Sequence, residues 1–469
     1  MLTILVQMKH VFFLKRLVLL AGDVIIFGAA FWSAQALRRL HIPSFADIER
    51  TALLFGVTIF LWLLVNYING LYDLAISAKA KGFYRKRIET AATAFIVSIL
   101  FFYLLADKTI APKTILLLAT VIGYTLSTVW HVVCSSLLLR GRLLTNVLFV
   151  GYTPESKELI SILKNHPERS YITGAVIDPS LPKGEIDKSI PTYTALKAIR
   201  PAISTHQISF VVVSPEMQEQ EEAMREIYEL LFWPVQITDL TTFYETLTGR
   251  IPPSTFSEAW FLQHLRRKDK PVYENIRTII DMAASITLFA VFALLFPILA
   301  LLIKTTSKGP IFYKQKRTGL FGKPFFLYKF RSMYALGKDG SAETEGYKFA
   351  TKNDERVTVV GKILRKMRLD ELPQAINLMK RDITLIGPRP ERPQIVEDLT
   401  EKMPYYPLRH VVRPGLLGWA ILHQHYADTL EKSLVKLQYD LFYIKNRSLL
   451  MDISIILRTF NVVFRGLGQ

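Results

Sequence analysis

The sequence predicts an integral-membrane α-helical bundle, then a soluble α/β domain, then a mainly α-helical domain carrying one further membrane segment. Three observations predict it. Half of the 469 residues are hydrophobic and the mean hydropathy is +0.25, high for a soluble chain of this size. Four apolar runs open the sequence, and a region of alternating strand and helix patterns follows them. A fifth apolar run comes next, interrupted by Pro297.

The four opening runs are roughly 17–37, 53–71, 91–105 and 114–139. Each is near the ~20 residues a helix needs to cross the hydrocarbon core, the third being the shortest. Residues 1–142 therefore read as a four-helix transmembrane domain, its first run an anchor without a small-residue cleavage site. Asp23 lies inside that run; the expected reading is an acid partly solvated near the helix end or bonded within the bundle, ahead of a functional role. Loop charge sets the orientation. Lys9, Lys15 and Arg16 precede the first run, Lys79, Lys81, Arg85, Lys86 and Arg87 follow the second, and Arg140 and Arg142 follow the fourth. Those places are expected on the cytoplasmic side, although Arg38, Arg39 and Arg50 weaken the asymmetry.

A net charge of +18 and a pI near 9.7 suit anionic partners: head groups, nucleic acid or phosphorylated small molecules. The apolar composition favours membrane lipid and argues against nucleic acid. The single cysteine, Cys134, excludes a disulfide framework or a cysteine-based metal site within one chain.

Residues 143–250 read as a small α/β domain. NVLFVGY (146–152) is a buried-strand pattern, SKELISILKNH (156–166) has helical spacing, and 171–178, 208–214 and 234–240 look like further strands. Alternation of this kind predicts a parallel sheet. The first turn, GYTPES (151–156), offers one glycine, Gly151, where a dinucleotide fingerprint needs three. The domain is thus expected to be Rossmann-like without a dinucleotide.

A polar linker spans 251–272, and the last domain spans 273–469. Its apolar run, 279–303, has cations at both ends, including Arg277 and Lys304. That pattern suits a re-entrant segment broken at Pro297, which removes a backbone donor and clashes with the preceding turn. A fifth crossing would carry the rest of the chain away from cytoplasmic nucleotide pools.

Five short motifs follow. In 310–333, Gly319 and Gly322 are surrounded by Lys316, Arg317, Lys323, Lys329 and Arg331, a basic stretch with no Walker loop. RLDELPQ (368–374) holds adjacent acids, Asp370 and Glu371, after Lys362, Arg365, Lys366 and Arg368. The surrounding stretch 357–382 reads as a helix broken near Pro373. Neighbours in a helix point roughly 100° apart, so two separate tasks fit better than a shared proton. Such a pair could attack phosphorus with one carboxylate and hold Mg²⁺, which takes oxygen ligands and substrate phosphates, with the other; on this motif alone a solvated Asp-Glu pair at a helix end is the favoured reading. Arg365 and Arg368 would keep both ionised. In LIGPRPERP (385–393) three prolines stiffen the chain around Arg389, which suits a phosphate clamp and equally a rigid surface turn with a solvated arginine. VVRPGLLGWA (411–420) and YDLFYIKNRSLLMDISIILRTF (439–460) complete the set; the latter ends as an interfacial helix would, and read alone each is better explained by ordinary core packing.

In this order, KFRSM, LDELPQ, IGPRP, RPGLLGW and YDLFYIKNRSLLMD resemble the bacterial sugar transferases, the polyprenyl-phosphate hexose-1-phosphate transferases. The resemblance covers about 270–469, and the four-span bundle with its α/β domain resembles the long form of that family. It implies transfer of a hexose 1-phosphate, glucose ahead of galactose, from a UDP-sugar to undecaprenyl phosphate. UMP leaves, and an exopolysaccharide, capsule or O-antigen repeat unit begins. It implies Asp370 as nucleophile and Glu371 as Mg²⁺ ligand. Lys329, Arg331, Arg365 and Arg389 would contact phosphate, and Asp440 would be a further active-site acid. It also implies the inner membrane, a cytoplasmic catalytic face and a re-entrant helix at Pro297. A homodimer is expected from the large bundle and sheet surfaces. The alternatives are an inactive scaffold or regulator that binds nucleotide sugar and, disfavoured because GYTPES lacks the glycines, a Rossmann-type oxidoreductase or epimerase on a membrane anchor. Two positions depart from the family pattern: Ile421-Leu422 after GWA, which bears on the donor, and Phe296 where many members have Ser.

Overall fold

In a computed structural model the chain forms two compact units, Met1–Leu247 and Thr248–Gln469. The structure describes residues 2–42, 45–72, 83–104, 113–138, 145–165, 171–181, 186–265, 271–335, 355–424 and 429–464. Lys79, Lys81, Arg140 and Arg142, and the side chains of Lys9, Lys15, Arg16, Arg39 and Arg50, lie outside that description, so most of the loop-charge expectation does too.

The first unit opens with α1 (Leu2–Arg39), α2 (Phe45–Ile68), α3 (Phe83–Leu104) and α4 (Lys113–Leu138). Leu17–Arg38 and Thr114–Cys134 are long and apolar enough to cross a membrane, and Ala52–Ile68 is a shorter apolar helix. The charged first turns of α3, FYRKRIE, dilute its apolar stretch. Interlocked rings fill the bundle. Trp62 meets Phe27 edge-on at 5.1 Å and stacks on Phe31 at 5.1 Å, while its Nε1 donates to Ser98 Oγ at 2.7 Å. α1 and α4 approach closely at Gly22, where a Cβ would lie 2.1 Å from Trp130.

Asp23 is fully buried in this bundle. Its carboxylate accepts from Tyr72 OH at 2.8 Å and Ser127 Oγ at 2.6 Å, lies 3.1 Å from His131 Nε2, and has Asn66 Nδ2 at 3.4 Å. Tyr124 OH donates to Asn66 Oδ1 at 2.9 Å. Of the two readings of Asp23, bonding inside the bundle is the one found.

The sheet follows: β1 (Thr145–Val150), α5 (Pro154–Asn165), β2 (Tyr171–Ile177), β3 (Thr192–Tyr193), α6 (Ile199–Thr205), β4 (Ile208–Val213), α7 (Pro215–Glu219), α8 (Glu221–Glu229), β5 (Gln236–Asp239) and α9 (Leu240–Thr248). Strand order is β3-β2-β1-β4-β5, and every pairing is parallel. Alternate side chains enter two cores: Leu148, Val150, Val211 and Val213 pack in one, Val147, Phe149, Phe210 and Val212 in the other. The turn after β1 is closed by residues that follow β2 and β4. Gly151 has φ +101°, and a Cβ there would meet Ser214 Oγ at 2.0 Å. Asp178 accepts from Tyr152 N at 2.6 Å and Ser180 N at 2.7 Å.

The second unit begins at Thr248, just before the stretch expected to be linker, and takes that stretch in. Ile251 and Phe261 of that stretch, the latter on α10 (Glu258–His264), are built into a core with Ile386, Tyr406 and Leu441. Its residues 266–270 lie outside the described residues. α11 (Pro271–Thr306) runs as one 36-residue helix, so Pro297 sits within it rather than ending it. Phe296, lacking the hydroxyl of Ser, is held by rings: it stacks on Phe312 at 5.7 Å and Phe330 at 6.3 Å.

The hairpin β6 (Phe312–Thr318) and β7 (Pro324–Phe330) is antiparallel. α12 (Val359–Lys366) and α13 (Gln374–Met379) come next, then β8 (Thr384–Ile386), α14 (Pro393–Lys402), β9 (Gly415–Leu417), α15 (Trp419–His423), α16 (Leu430–Asn446) and α17 (Leu449–Phe464). β8 and β9 pair in parallel. The expected helix break near Pro373 falls earlier. α12 ends at Lys366, and Arg368 takes a left-handed conformation, φ 55°. A 3-10 turn, Leu369–Glu371, then leads to Pro373, which precedes the first residue of α13.

Candidate active site

The acid pair lies in that 3-10 turn, directly after the left-handed Arg368. A non-glycine residue held there costs about 1–3 kcal/mol and persists where the surroundings dictate it. At three residues per turn, successive side chains diverge by about 120°, so Asp370 and Glu371 meet different surroundings.

Glu371 faces cations. Its Oε1 accepts from Arg389 Nη2 at 2.6 Å and Lys329 Nζ at 3.2 Å, and its Oε2 lies 3.8 Å from Arg368 Nη1. Burial alone would raise its pKa, but Arg389, Lys329 and Arg368 outweigh that and hold it well below the carboxylate range. Asp370 is 9% exposed and makes no hydrogen bond or ion pair among the described residues. Burial pushes it up to about 6; Lys329 and Arg365 pull against that, and the Glu371 charge adds to it. Two adjacent carboxylates are thereby driven apart, one locked as an anion and one poised.

Each element that brings these groups together is tied down. Lys329 stands on β7. Asn377, fully buried on α13, binds that strand: its Oδ1 accepts from Tyr328 N at 3.0 Å and its Nδ2 donates to Phe326 O at 2.7 Å. The acid turn and the lysine strand thus share one clamp. β8 is anchored on α11, where Asp281 accepts from Leu385 N at 2.9 Å and Arg277 donates to Thr384 Oγ1 at 3.1 Å.

The loop carrying Arg389 is fixed residue by residue. Pro388 O accepts from Gly415 N at 2.9 Å, Arg389 O from Arg409 Nη2 at 2.9 Å, Pro390 O from Arg317 Nη1 at 2.9 Å, and Glu391 O from Thr318 N at 2.8 Å. Behind it lies a second charge network. Arg409 is 1% exposed and pairs with Asp440 at 2.7 Å. Glu391 binds Lys436 and lies 3.6 Å from Arg317. Burial alone would raise the Glu391 pKa, but Lys436, Arg409 and Arg317 bring it down to about 2.

The structure therefore gathers Asp370, Glu371, Lys329 and Arg389, with Arg365 acting on Asp370 electrostatically. It places two expected residues elsewhere. Arg331 donates to Lys308 O at 2.8 Å and Ser307 O at 2.8 Å, so its guanidinium caps the C-terminal end of α11. Asp440, 2% exposed, holds Arg409 rather than facing Asp370 or Glu371 directly. Arg409 and Lys436 were not singled out by sequence reasoning. Arg409 stands two residues before VVRPG and Lys436 four before Asp440, with no local signal that both converge on the Arg389 loop.

For a cation, the donor set is hard oxygen. No group of three or more His, Cys, Asp or Glu gathers among the described residues. Mg²⁺ is commonly held by one or two carboxylates and completed by water and substrate phosphate; Glu371, whose Oε1 is engaged by Arg389 and Lys329, is the residue that would hold it.

Residues 272–466 match the bacterial sugar transferase family. A UDP-N-acetylgalactosamine-undecaprenyl-phosphate N-acetylgalactosaminephosphotransferase of Aeromonas hydrophila is 38% identical over 230 residues, 48% of this chain and 51% of its own length. A UDP-glucose:undecaprenyl-phosphate glucose-1-phosphate transferase of Escherichia coli (strain K12) is 38% identical over 206 residues, 42% of this chain and 43% of its own. An uncharacterized sugar transferase of Bacillus subtilis is 34% identical over 193 residues, 41% of this chain and 89% of its own. The match thus spans about half or less of the first two relatives and nearly all of the third.

Proposed function

The chain belongs to the bacterial sugar transferases, and we propose that it transfers a hexose 1-phosphate from a UDP-sugar to undecaprenyl phosphate, releasing UMP. The product begins a polysaccharide repeat unit. The observation that carries this reading is the asymmetry of the acid pair: Glu371 bound by Lys329 and Arg389, Asp370 buried among cations but bonded to none.

Asp370 attacks the β-phosphorus of the donor. The bond from that phosphorus to the bridging oxygen breaks, and UMP leaves with the electron pair. An oxygen of undecaprenyl phosphate then attacks the same phosphorus, and Asp370 departs as a carboxylate. Lys329 and Arg389 meet the charge on the phosphoryl oxygens, in place before the reaction begins. Arg365 favours the ionised Asp370. Mg²⁺ bound at Glu371 would supply further neutralisation of the diphosphate. Arg409, locked by Asp440, is a positioning residue for Arg389. We assign Arg331 to the α11 cap rather than to phosphate.

α11 is long and apolar enough to cross a membrane; the cations at both ends of its apolar run and the Pro297 within it are what favour a re-entrant segment in the inner membrane, with the active site on the cytoplasmic face where UDP-sugars are made. The β1 turn, closed by Asp178, supports a Rossmann-like middle domain that takes no dinucleotide. Glucose is the first sugar to test, with N-acetylgalactosamine and galactose beside it.

The test is UMP release by the full chain in membranes supplied with undecaprenyl phosphate, Mg²⁺ and each UDP-sugar. Lipid- and Mg²⁺-dependent UMP that disappears in Asp370→Asn is the expected result and identifies the sugar. Equal UMP from the variant overturns Asp370 as nucleophile. UMP from no donor favours the inactive scaffold.

A further inference from the structure

The helical bundle contains a buried cation whose binding edge is empty. Arg87, near the start of α3, is 3% exposed. Its Nη1 donates to Ser127 Oγ at 3.0 Å, and Ser127 passes that contact to Asp23 at 2.6 Å. No ion pair joins Arg87 to Asp23 themselves, because Tyr72, Ser127, His131 and Asn66 already surround the carboxylate. Among the described residues, Nε and Nη2 of Arg87 are both buried without a hydrogen-bond partner. These two donors form one edge of the planar guanidinium, the fork that grips two oxygens of a phosphate or carboxylate at once. Among the described residues the other buried arginines in the same position, Arg277, Arg331 and Arg409, leave Nε alone; Arg87 leaves the whole fork.

A buried guanidinium edge without an acceptor needs a reason. Among the described residues Asp23 is saturated and Glu89 is paired with Arg85, which leaves the acceptor to be supplied by a ligand. The setting says which kind. Leu17–Arg38 and Thr114–Cys134, which bring Asp23 and Ser127, are of membrane-crossing length. Arg87 follows Arg85 and Lys86 in a basic stretch that the positive-inside rule puts at the anionic cytoplasmic leaflet. A ligand arriving there from the bilayer presents a phosphate at head-group depth.

We propose that Arg87 anchors a lipid-phosphate site in the four-helix bundle. The Nε/Nη2 fork takes two phosphate oxygens, Ser127 fixes the guanidinium plane, and Asp23 balances its charge through Ser127. The ligand is a membrane phosphate, either a polyprenyl phosphate monoester or an anionic glycerophospholipid. The polyprenyl arm rests on the function proposed above; the phospholipid arm does not.

The test uses the full chain in a neutral maltoside detergent. Undecaprenyl phosphate or phosphatidylglycerol is titrated in, and bound lipids are counted by native mass spectrometry. Arg87→Gln loses one phosphate lipid per chain, or binds it about ten- to a hundredfold more weakly, the range expected of a charge-assisted hydrogen bond. Arg87→Lys, which keeps the charge without the fork and serves where the Gln variant fails to fold, also weakens binding. Arg85→Gln, at a 65% exposed side chain paired with Glu89, leaves the count unchanged. Selective loss of undecaprenyl phosphate assigns the site to the acceptor, and loss of phosphatidylglycerol assigns it to a bilayer lipid. Equal counts in wild type and Arg87→Gln for both lipids overturn the site. Equal losses in the Arg87 and Arg85 variants overturn it as well, since a diffuse basic surface would then account for binding. UMP release on the same preparations keeps the two readings separate: a wild type that binds lipid but makes no UMP fails the transferase reading and leaves this one standing.

Discussion

Asp23, fully buried in the bundle, takes hydrogen bonds from Tyr72 and Ser127 and lies beside His131, whereas Asp370, 9% exposed in its 3-10 turn, bonds to nothing among the described residues. Both are acids removed from water, and the difference is in what surrounds them. Around Asp23 the donors converge and close the carboxylate in. Around Asp370 the nearby cations are drawn to Glu371, which binds Lys329 and Arg389. Burial with full satisfaction makes a structural node; burial with an unmet group stores reactivity or affinity. Arg87 is the cationic counterpart in the bundle, one hydroxyl away from the saturated acid.

The sharpest break in this comparison is Asp370→Asn. It keeps shape and burial but removes the attacking carboxylate. Turnover should fall on the order of 10³-fold or more in the UMP-release assay, as for loss of an enzyme's nucleophile. Next is Arg409→Lys, which keeps the charge but cannot hold Arg389 O and Asp440 together. A shift of the Arg389 loop on the order of 1 Å would lower kcat by about a hundredfold. The expected loss is in kcat; a loss confined to KM would make Arg409 a substrate-binding group.

Glu391 tests the network behind the loop. Its folded pKa, about 2, lies below the ordinary value of 4.5. Its pairing therefore stabilises the fold above pH 4.5 and is lost as pH falls through about 2. Glu391→Gln should cost on the order of 3 kcal/mol at neutral pH, read as a lower unfolding midpoint. The gap to wild type should close on acidification. The smallest effect is expected from Asp23→Asn. One amide N–H would face hydroxyl donors, destabilising the bundle by about 1–3 kcal/mol in thermal unfolding. UMP release at permissive temperature should persist, unlike that of Asp370→Asn.

Much of the fold was legible because its signals are local. The four opening helices follow from apolar runs, and the strands from short β-branched stretches such as FVVV, which lies within β4. The helix break was misplaced because proline is a visible breaker, whereas the left-handed Arg368 has no sequence signal. At the site, Asp370, Glu371, Lys329 and Arg389 could be named from motif order. The destinations of Arg331 and Asp440 could not, because each is set by partners brought by other elements: the carbonyls of Lys308 and Ser307, and the guanidinium of Arg409.

By itself the sequence determined a membrane chain with a parallel-sheet domain and a basic, acid-bearing C-terminal region, since hydropathy, periodicity and residue chemistry are properties of short windows. Only the tertiary structure decided which carboxylate is locked and which is open, and which arginines are occupied. Those outcomes depend on ångström distances between groups far apart in the chain: Glu371 meets Lys329 across 42 residues, and Asp23 meets Ser127 across 104.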